Sequence, residues 1–565
     1  MAENSEIRKK VLTRQSKMED HREPFGEDWL DIAKYAIPFL ENMDHEEDYG
    51  DRIGTHIYDA TPVSYLQMMA DGFQGNTATS SKKWHRFIHP DPKLMELRTV
   101  KQWCQDMDEH FYYLFQTRSN FYKKIPSFYI LLVGFAVGTV FIDEDLNTDQ
   151  IKFIVPNPWE MFVEKNKDGE IDTYHRQFYM SARNIGSMFE HADLSPAVLD
   201  AIKTDPDKKF TIIHAVFPNE DRQYYKTGAQ DKKFASVYVL KESSEYERSN
   251  LLRRKGTNVA ISGYDEMPYI TGVWRDTPNT PYSFGPGHTA LPQLLMLNDA
   301  AKRYWIATQK LVDPPMWLPL KYREFGFSLA PEAKNWYEEE KIMDVSPIQQ
   351  TIDIAALLEG INDLREQISK IFMVDFWRMM TDRDANVTAT QIIREQGEQA
   401  VALGPMLDSL HSFFNHMFDR LVSIEAAANR LPVPPDEIIE AGGEYRVEYV
   451  GPMAQAQKRL FEIQGTMNFI EQSAPVFQLY PPSMDKVDFD KLVDKIGNSS
   501  GADLDIIRED KDVEAIRAAR AKAAEEARQA EMAEKLAKTT KDMGQPVADS
   551  SLLGQMQQGQ QDQNV

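Results

Sequence analysis

Between Gly285 and Ala428 the chain places two helical patterns on either side of a short Pro- and Trp-rich insert. A polar stretch follows, and then one very long helical pattern. The first pattern runs from about His288 to Leu311, with Leu291, Leu294, Leu295, Leu297 and Tyr304 giving a broad apolar face. The second runs from about Thr351 to Val374, with Leu357, Ile361, Leu364, Ile368 and Ile371 at three- and four-residue steps. Each helix would be roughly 35 Å long at about 1.5 Å per residue. A matched helix pair that carries a small folded tip spans a distance. It is a mechanical arrangement more than a pocket.

Composition narrows the partners. A chain of 565 residues, 42% hydrophobic, can hold two to four domains or one elongated subunit with a sizeable core. Its formal charge of −24 argues against gripping nucleic acid by neutralising phosphates. It does not exclude surrounding nucleic acid without holding it, because acidic walls repel phosphates. Cys104 is the single cysteine, so no intramolecular disulfide or thiolate cluster is expected, as suits a reducing cytoplasm. Met1 to Gln15 is polar and lacks a signal-peptide core. Phe128 to Ile142 is apolar but shorter than the roughly 20 residues of a spanning helix. A buried helix ending near Gly134, followed by a core strand from Thr139 to Ile142, is expected there.

The first 60 residues read as helical, with Trp29, Ile32, Ala33 and Ile37 on one face. A helix starts at Asp59-Ala60-Thr61-Pro62, and another, about Leu94 to Thr117, carries Trp103, Met107, Phe111, Leu114 and Phe115 inward. From Thr139 to about Val273 strands dominate, with a hairpin turn at Lys167-Asp168-Gly169 and a helical interruption from Ala182 to Lys203. Prolines close the first long helix at Asp313-Pro314-Pro315. The stretch Asp375 to Val387 breaks periodicity. Thr388 and Gln391 then form a capping box for a helix reaching Ala428, with a kink predicted at Gly404-Pro405. Tyr445 to Val450 reads as a strand and Gln455 to Gln472 as a helix. Asp512 to Lys538 is a charged, Ala-rich helix marginal on its own. The Gln-, Ser- and Gly-rich end reads as disordered.

Chemistry-bearing motifs do not assemble. The chain has no Gly-Lys-Ser or Gly-Lys-Thr, no HExxH and no GxSxG. The acidic run Asp143 to Asp149 lacks the glycine and glutamate of a calcium loop and reads as a solvated turn. His411 and His416 stand five apart, which does not align two metal ligands on a helix. No catalytic, cofactor or metal site is expected.

The ordered features instead resemble the head-to-tail connector, or portal, proteins of short-tailed bacteriophages, over most of the chain. The residues that carry the likeness are Tyr58 to Pro62 leading to Ala70-Asp71-Gly72; Trp84 with Phe87; Gly134 to Thr139; and Pro286-Gly287 with Leu291-Pro292 and Leu297-Asn298. Further on they are Asp313-Pro314-Pro315, Thr388 to Gln391, and Gly404-Pro405-Met406-Leu407. The resemblance implies an α+β, predominantly helical subunit of a ring, usually of twelve copies. Its parts would be an N-terminal α+β wing (1–285), stem helices (286–311 and 351–374), a clip (312–350) and a channel loop (375–387). A long kinked wing helix (388–430), a helical crown or barrel (431–540) and a disordered tail (541–565) would complete it. Such a ring is a virion part, assembled in the host cytoplasm. Its implied partners are a terminase large subunit, which hydrolyses ATP in its place, a tail adaptor or tail tube protein, capsid and scaffolding proteins, and an internal core protein. Double-stranded DNA would pass without sequence readout, and no membrane is involved. Arg378, Met379, Met380 and Arg383 would face the DNA, although both arginines could equally pair with Asp375, Asp382 or Asp384. Lys321, Tyr322, Arg323, Trp336 and Tyr337 would make clip contacts, unless the aromatics fill the clip's own core. A hydrolase with carboxylates assembled by the fold and a membrane-associated assembly factor using Phe128 to Ile142 are the competing readings.

Overall fold

The computed structural model describes residues 2–44 and 52–319, apart from breaks at 146–147, within 221–227, and at 242–250, 257–258 and 279. It also describes 332–337, 346–347, 353–381, 403–451 and 510–542, with single positions elsewhere. Two compact units result, Met1–Leu460 and Phe461–Val565.

Helix α1 (Ala2–Ala36) ends just before Ile37, which precedes Pro38 and takes φ −133° and ψ 63°. Proline disfavours the helical region for its predecessor. Helix through the first 60 residues is therefore corrected: beyond Ala36 the described residues form a short 3-10 turn, then turns and coil. Helix α2 (Thr61–Thr77) has Pro62 in its first turn, where no backbone N–H is missed. Strand β1 (His85–Ile88) precedes α3 (Arg98–Thr117), which buries the face predicted for it, Trp103 to Phe115.

Helix α4 (Phe121–Phe135) is apolar nearly all round because it is enclosed; every residue from Phe128 to Phe135 is buried. Ala136 then takes a left-handed φ of 59°, and the chain turns into β2 (Val137–Asp145). The apolar segment is thus a helix end and a core strand. No helix among the described residues is long and apolar enough to cross a membrane.

Strand β3 (Gln150–Ile154) pairs antiparallel with β2. Asp143 to Asp145 belong to that ladder, which corrects the solvated-turn reading. Glu144 meets Arg430 at 2.6 Å and Asp145 meets Lys152 at 2.5 Å. Strands β4 (Met161–Lys165) and β5 (Ile171–Ser181) form the expected hairpin, with Gly169 at φ 86° in its turn. The helical interruption is two short helices, α5 (Ala182–Met188) and α6 (Pro196–Thr204). Strands β6 (Lys209–Pro218), β7 (Phe234–Leu240) and β8 (Ser262–Tyr264) complete a five-stranded antiparallel sheet in the order β4-β5-β6-β7-β8. Strand β9 (Tyr269–Val273) returns to β2, giving the order β3-β2-β9.

Helix α7 (Pro286–Val312) leads to three short strands, β10 (Met316–Pro319), β11 (Lys334–Tyr337) and β12 (Ser346–Pro347), then to α8 (Ile354–Ile371) and α9 (Val374–Thr381). Helix α10 (Gly404–Ala427) buries Leu407, Leu410, Phe414, Met417, Leu421 and Ile424 as its spacing predicts. The capping box at Thr388 and the approach to the predicted kink lie outside the described residues. After α11 (Asp436–Glu440), β13 (Arg446–Tyr449) pairs antiparallel with β1. The helix expected from Gln455 to Gln472 and the tail beyond residue 542 also lie outside the described residues. In the second unit α12 (Asp510–Asp542) is a single helix of 33 residues, about 50 Å long at 1.5 Å per residue.

The core of the first unit is aromatic. Trp84, fully buried, has Phe414 at 4.9 Å, Phe115 at 5.6 Å and Phe418 at 5.7 Å, and its indole N–H donates to the Tyr122 hydroxyl. Tilted and edge-on ring pairs of this kind add to simple area burial. This cluster joins α3, α4 and α10, and α4 in turn packs on the first long helix, α7.

Candidate functional site

The two long helices pack against each other, and α7 also packs on α1 and α4. The root of α7 lies unusually close to α4. A Cβ added at Gly287 would sit 1.9 Å from the carbonyl oxygen of Gly134, so only glycine permits this approach. At its far end α7 stops at Asp313, ahead of the two prolines. Helix α8 begins at Asp353, whose carboxylate accepts from the backbone N–H of Ala356 at 3.1 Å.

A short segment before α2 ties the pair to the body. The Tyr58 N–H donates to Asn298 Oδ1 at 2.8 Å, and the Asn298 amide donates to the His56 carbonyl. Asp59, largely buried, accepts from Arg365 Nε and Nη2 of α8, both at 2.9 Å. Hydrogen bonds from Thr61 and the Arg365 guanidinium hold the Asp59 carboxyl below its usual range despite desolvation by burial, the largest single influence. Beside this clamp a cleft of about 240 Å³ is lined by Tyr58, Tyr304, Trp305, Leu358, Ile361 and Arg365, among others.

At the tip, β10 lies between β11, parallel to it, and β12, antiparallel. The insert expected only as a proline-stopped aromatic cluster therefore contains a small sheet among its described residues. Trp336 and Tyr337 sit in β11, opposite Leu318 and Pro319 of β10. Lys321, Tyr322 and Arg323 lie outside the described residues.

Past α8, the chain breaks at Met373, which has φ 51°, and resumes as α9. This corrects the aperiodic stretch from Asp375: it is helical as far as Thr381. Phe376 and Trp377 are buried, and the Trp377 ring lies 4.8 Å from Phe73. Gly72 leaves the room, since a Cβ there would come within 2.3 Å of that ring. Arg378 is exposed and pairs with no described carboxylate; Met379 and Met380 continue the helix. Arg383 lies outside the described residues.

One constellation was not foreseen. His214 Nδ1 lies 2.7 Å from the Tyr269 hydroxyl and Nε2 lies 2.9 Å from Ser236 Oγ. This resembles a nucleophile relay. All three residues are no more than 2% exposed, and Tyr238 stacks on the imidazole at 4.1 Å. Desolvation and nearby arginines keep His214 neutral, well below its ordinary range. No substrate reaches that serine, so the trio joins strands. Among the described residues no cluster of His, Cys, Asp or Glu is arranged to hold a metal. His411 stacks on Tyr449 at 4.5 Å, and His85 is enclosed by Trp84, Phe87, Phe115 and Phe418.

A helix pair packed on α1 and α4, with a sheet at its tip and no reachable catalytic cluster among the described residues, suits a mechanical part more than an enzyme. Residues 8–507 match the family model of the bacteriophage head to tail connecting protein. The chain belongs to that family. It is 28% identical over 529 residues to the portal protein of Salmonella phage epsilon15, covering 92% of this chain and 91% of that one. It is 25% identical over 526 residues to the probable portal protein of Bordetella phage BPP-1, again with 92% and 91% covered. The connector is a structural phage component at one capsid vertex, not an enzyme, and neither the hydrolase nor the membrane reading is supported.

Proposed function

We propose that this connector is a portal, a ring through which the genome is packaged and later ejected, and that the helix pair is its neck. The observation that carries the reading is the α7–α8 pair rooted on α4 through Gly134 and Gly287 with a three-stranded tip at its far end. On this reading the tip, 312–350, faces the packaging motor during filling and the tail adaptor afterwards. Residues 375–387 line the passage: α9 anchors the segment through Trp377, and the exposed Arg378 begins its DNA-facing part. Helix α12, too polar to bury a face within its own chain, packs against copies of itself in a crown. Capsid, scaffolding and core proteins contact the wing and crown. Host cytoplasm is where the rings assemble.

Twelve copies would carry a formal charge of about −288 before counterions. Salt screens that field over about 10 Å, comparable to the gap between a duplex and a channel wall. The wall then repels phosphates while Arg378 touches them briefly. Native mass spectrometry tests the ring: a single species near twelve times 65.0 kDa supports it, and a strict monomer ends it. Deleting Met379 to Ala385 tests the loop. Ring mass should be unchanged while packaging or DNA retention drops. Full-length genomes in such a mutant would remove the channel assignment.

A further inference from the structure

Helix α10 gives way to a proline ridge. Asn429 takes a left-handed φ of 53°, and the Arg430 N–H closes the helix on the Glu425 carbonyl at 2.9 Å. Leu431-Pro432-Val433-Pro434-Pro435 then runs without helix or strand to α11. One proline is enough to end a helix, and here three stand in four positions. Each fixes its own φ and pushes the residue before it, Leu431, Val433 or Pro434, out of the helical region. Pro435, at φ −68° and ψ 160°, is in the polyproline II conformation, and the residues ahead of it are steered to the same state.

The ridge is clamped from behind. The Trp103 indole N–H of α3 donates to the Pro432 carbonyl at 3.2 Å, and Thr99 Oγ1 donates to Glu437 Oε1 at 3.3 Å. Ile438 is fully buried and pins α11. Because Trp103 meets Pro432 and Thr99 meets Glu437, α3 runs antiparallel to the ridge, and Leu97 lies toward its Ile439 end. Val433, between the two clamps, is 88% exposed, more than any other large apolar side chain described in the first unit. Ile439 is 58% and Leu97 40% exposed. Apolar side chains held in water on a fixed backbone mark a contact surface. Charge is concentrated at one end. Asp436, Glu437 and Glu440 follow the last proline directly, and with Arg98 at the start of α3 they sum to a formal −2.

We propose that the Pro432–Pro435 ridge docks a protein of different sequence, through a groove walled by tyrosine and tryptophan rings and rimmed by lysine or arginine. The basic rim meets Asp436 and Glu440. A polyproline II segment suits such a groove because its backbone is already ordered and little entropy is lost on binding. The flat proline rings lie on the aromatic faces and Val433 fills the space between them. The Val433 and Pro434 carbonyls accept from the indole and phenol hydrogens of the groove. A second copy of this chain meeting it ridge to ridge would set the acidic ends against each other. The proposal does not rest on α7 and α8 being a neck.

The test is the full-length chain carrying Val433→p-benzoylphenylalanine, a photo-crosslinking residue, made during phage growth. The control carries the same residue in place of Tyr113, which is 58% exposed elsewhere on α3. After irradiation the linked peptides are sequenced by mass spectrometry. The expected link from position 433 joins one protein of different sequence, at or beside a tyrosine or tryptophan, and is absent from the control. Adding Pro434→Ala with Pro435→Ala, or Asp436→Lys with Glu440→Lys, should each weaken that link by about fivefold or more. Thermal melting shows whether each variant is folded. Should the proline variant melt early, the charge variant, which alters only exposed side chains, decides. A link to another copy of this chain alone, or none above the control, would overturn the proposal. So would a partner linked equally well by the folded variants, or one linked at a site without an aromatic residue.

Discussion

Glu425 is fully buried on α10 and receives His110 Nε2 at 3.0 Å, Arg118 Nη1 at 3.1 Å and Arg430 Nη2 at 2.9 Å. Burial opposes its charge, but the three donors hold its carboxyl down at about 2. Because the folded value lies below the ordinary one of 4.5, the stabilisation is complete above about pH 4.5 and lost as pH falls toward 2. Glu425→Gln leaves two guanidinium groups facing a neutral amide, and should destabilise by about 3–5 kcal/mol at pH 7. Its thermal melts should also show a flatter acid limb; an unchanged limb would contradict the clasp. Asp108 behaves oppositely. Desolvation pushes it up to about 7 although the Phe87 N–H donates to it at 2.5 Å. Its contribution is therefore complete below about pH 4 and lost as pH rises through 7. Asp108→Asn keeps an acceptor and drops the buried charge, so urea midpoints should fall less between pH 5 and 8 than in wild type. Neither residue was legible in the sequence, because Glu425 meets partners more than 300 positions away and no local spacing encodes that meeting.

Among elements, those with one long apolar stripe were readable: α3, α7, α8 and the second half of the pattern ending in α10 lie where their spacing puts them. The hairpin at Gly169 was readable for a different reason, since its turn needs a positive φ that glycine adopts freely. Helix α9 was not. The left-handed Met373 resets the phase, so Val374, Phe376 and Trp377 fall out of register with Ile361 and Ile368 and look aperiodic. The tip strands escaped because two to four residues are too few to show alternation, and prolines bound them. The packing of α9 on α2 makes a sharp prediction. Gly72→Ala drives a methyl into the Trp377 ring and should destabilise by about 1–3 kcal/mol, as overpacking does. Adding Trp377→Leu should recover part of that loss. If Gly72→Ala melts like wild type, α9 is not seated where Trp377 places it.

At the scale of the whole molecule the charge decides what kind of contact with DNA is possible. A protein that binds duplex by its basic residues releases counterions, and its affinity climbs steeply as salt is lowered. Here each chain carries a formal −24, and several of its described arginines are committed within the subunit: Arg365 to Asp59, Arg430 to Glu425 and Glu144. Lowering salt strengthens repulsion between such a body and a polyanion more than it strengthens isolated contacts at Arg378. Anisotropy of a labelled duplex mixed with assembled connector, followed from 300 down to about 20 mM NaCl, should therefore show flat or weakening association. A slope equivalent to several phosphate contacts would mean that a basic track lines the passage. The acidic wall would then have been misassigned, and DNA would be held rather than let slide.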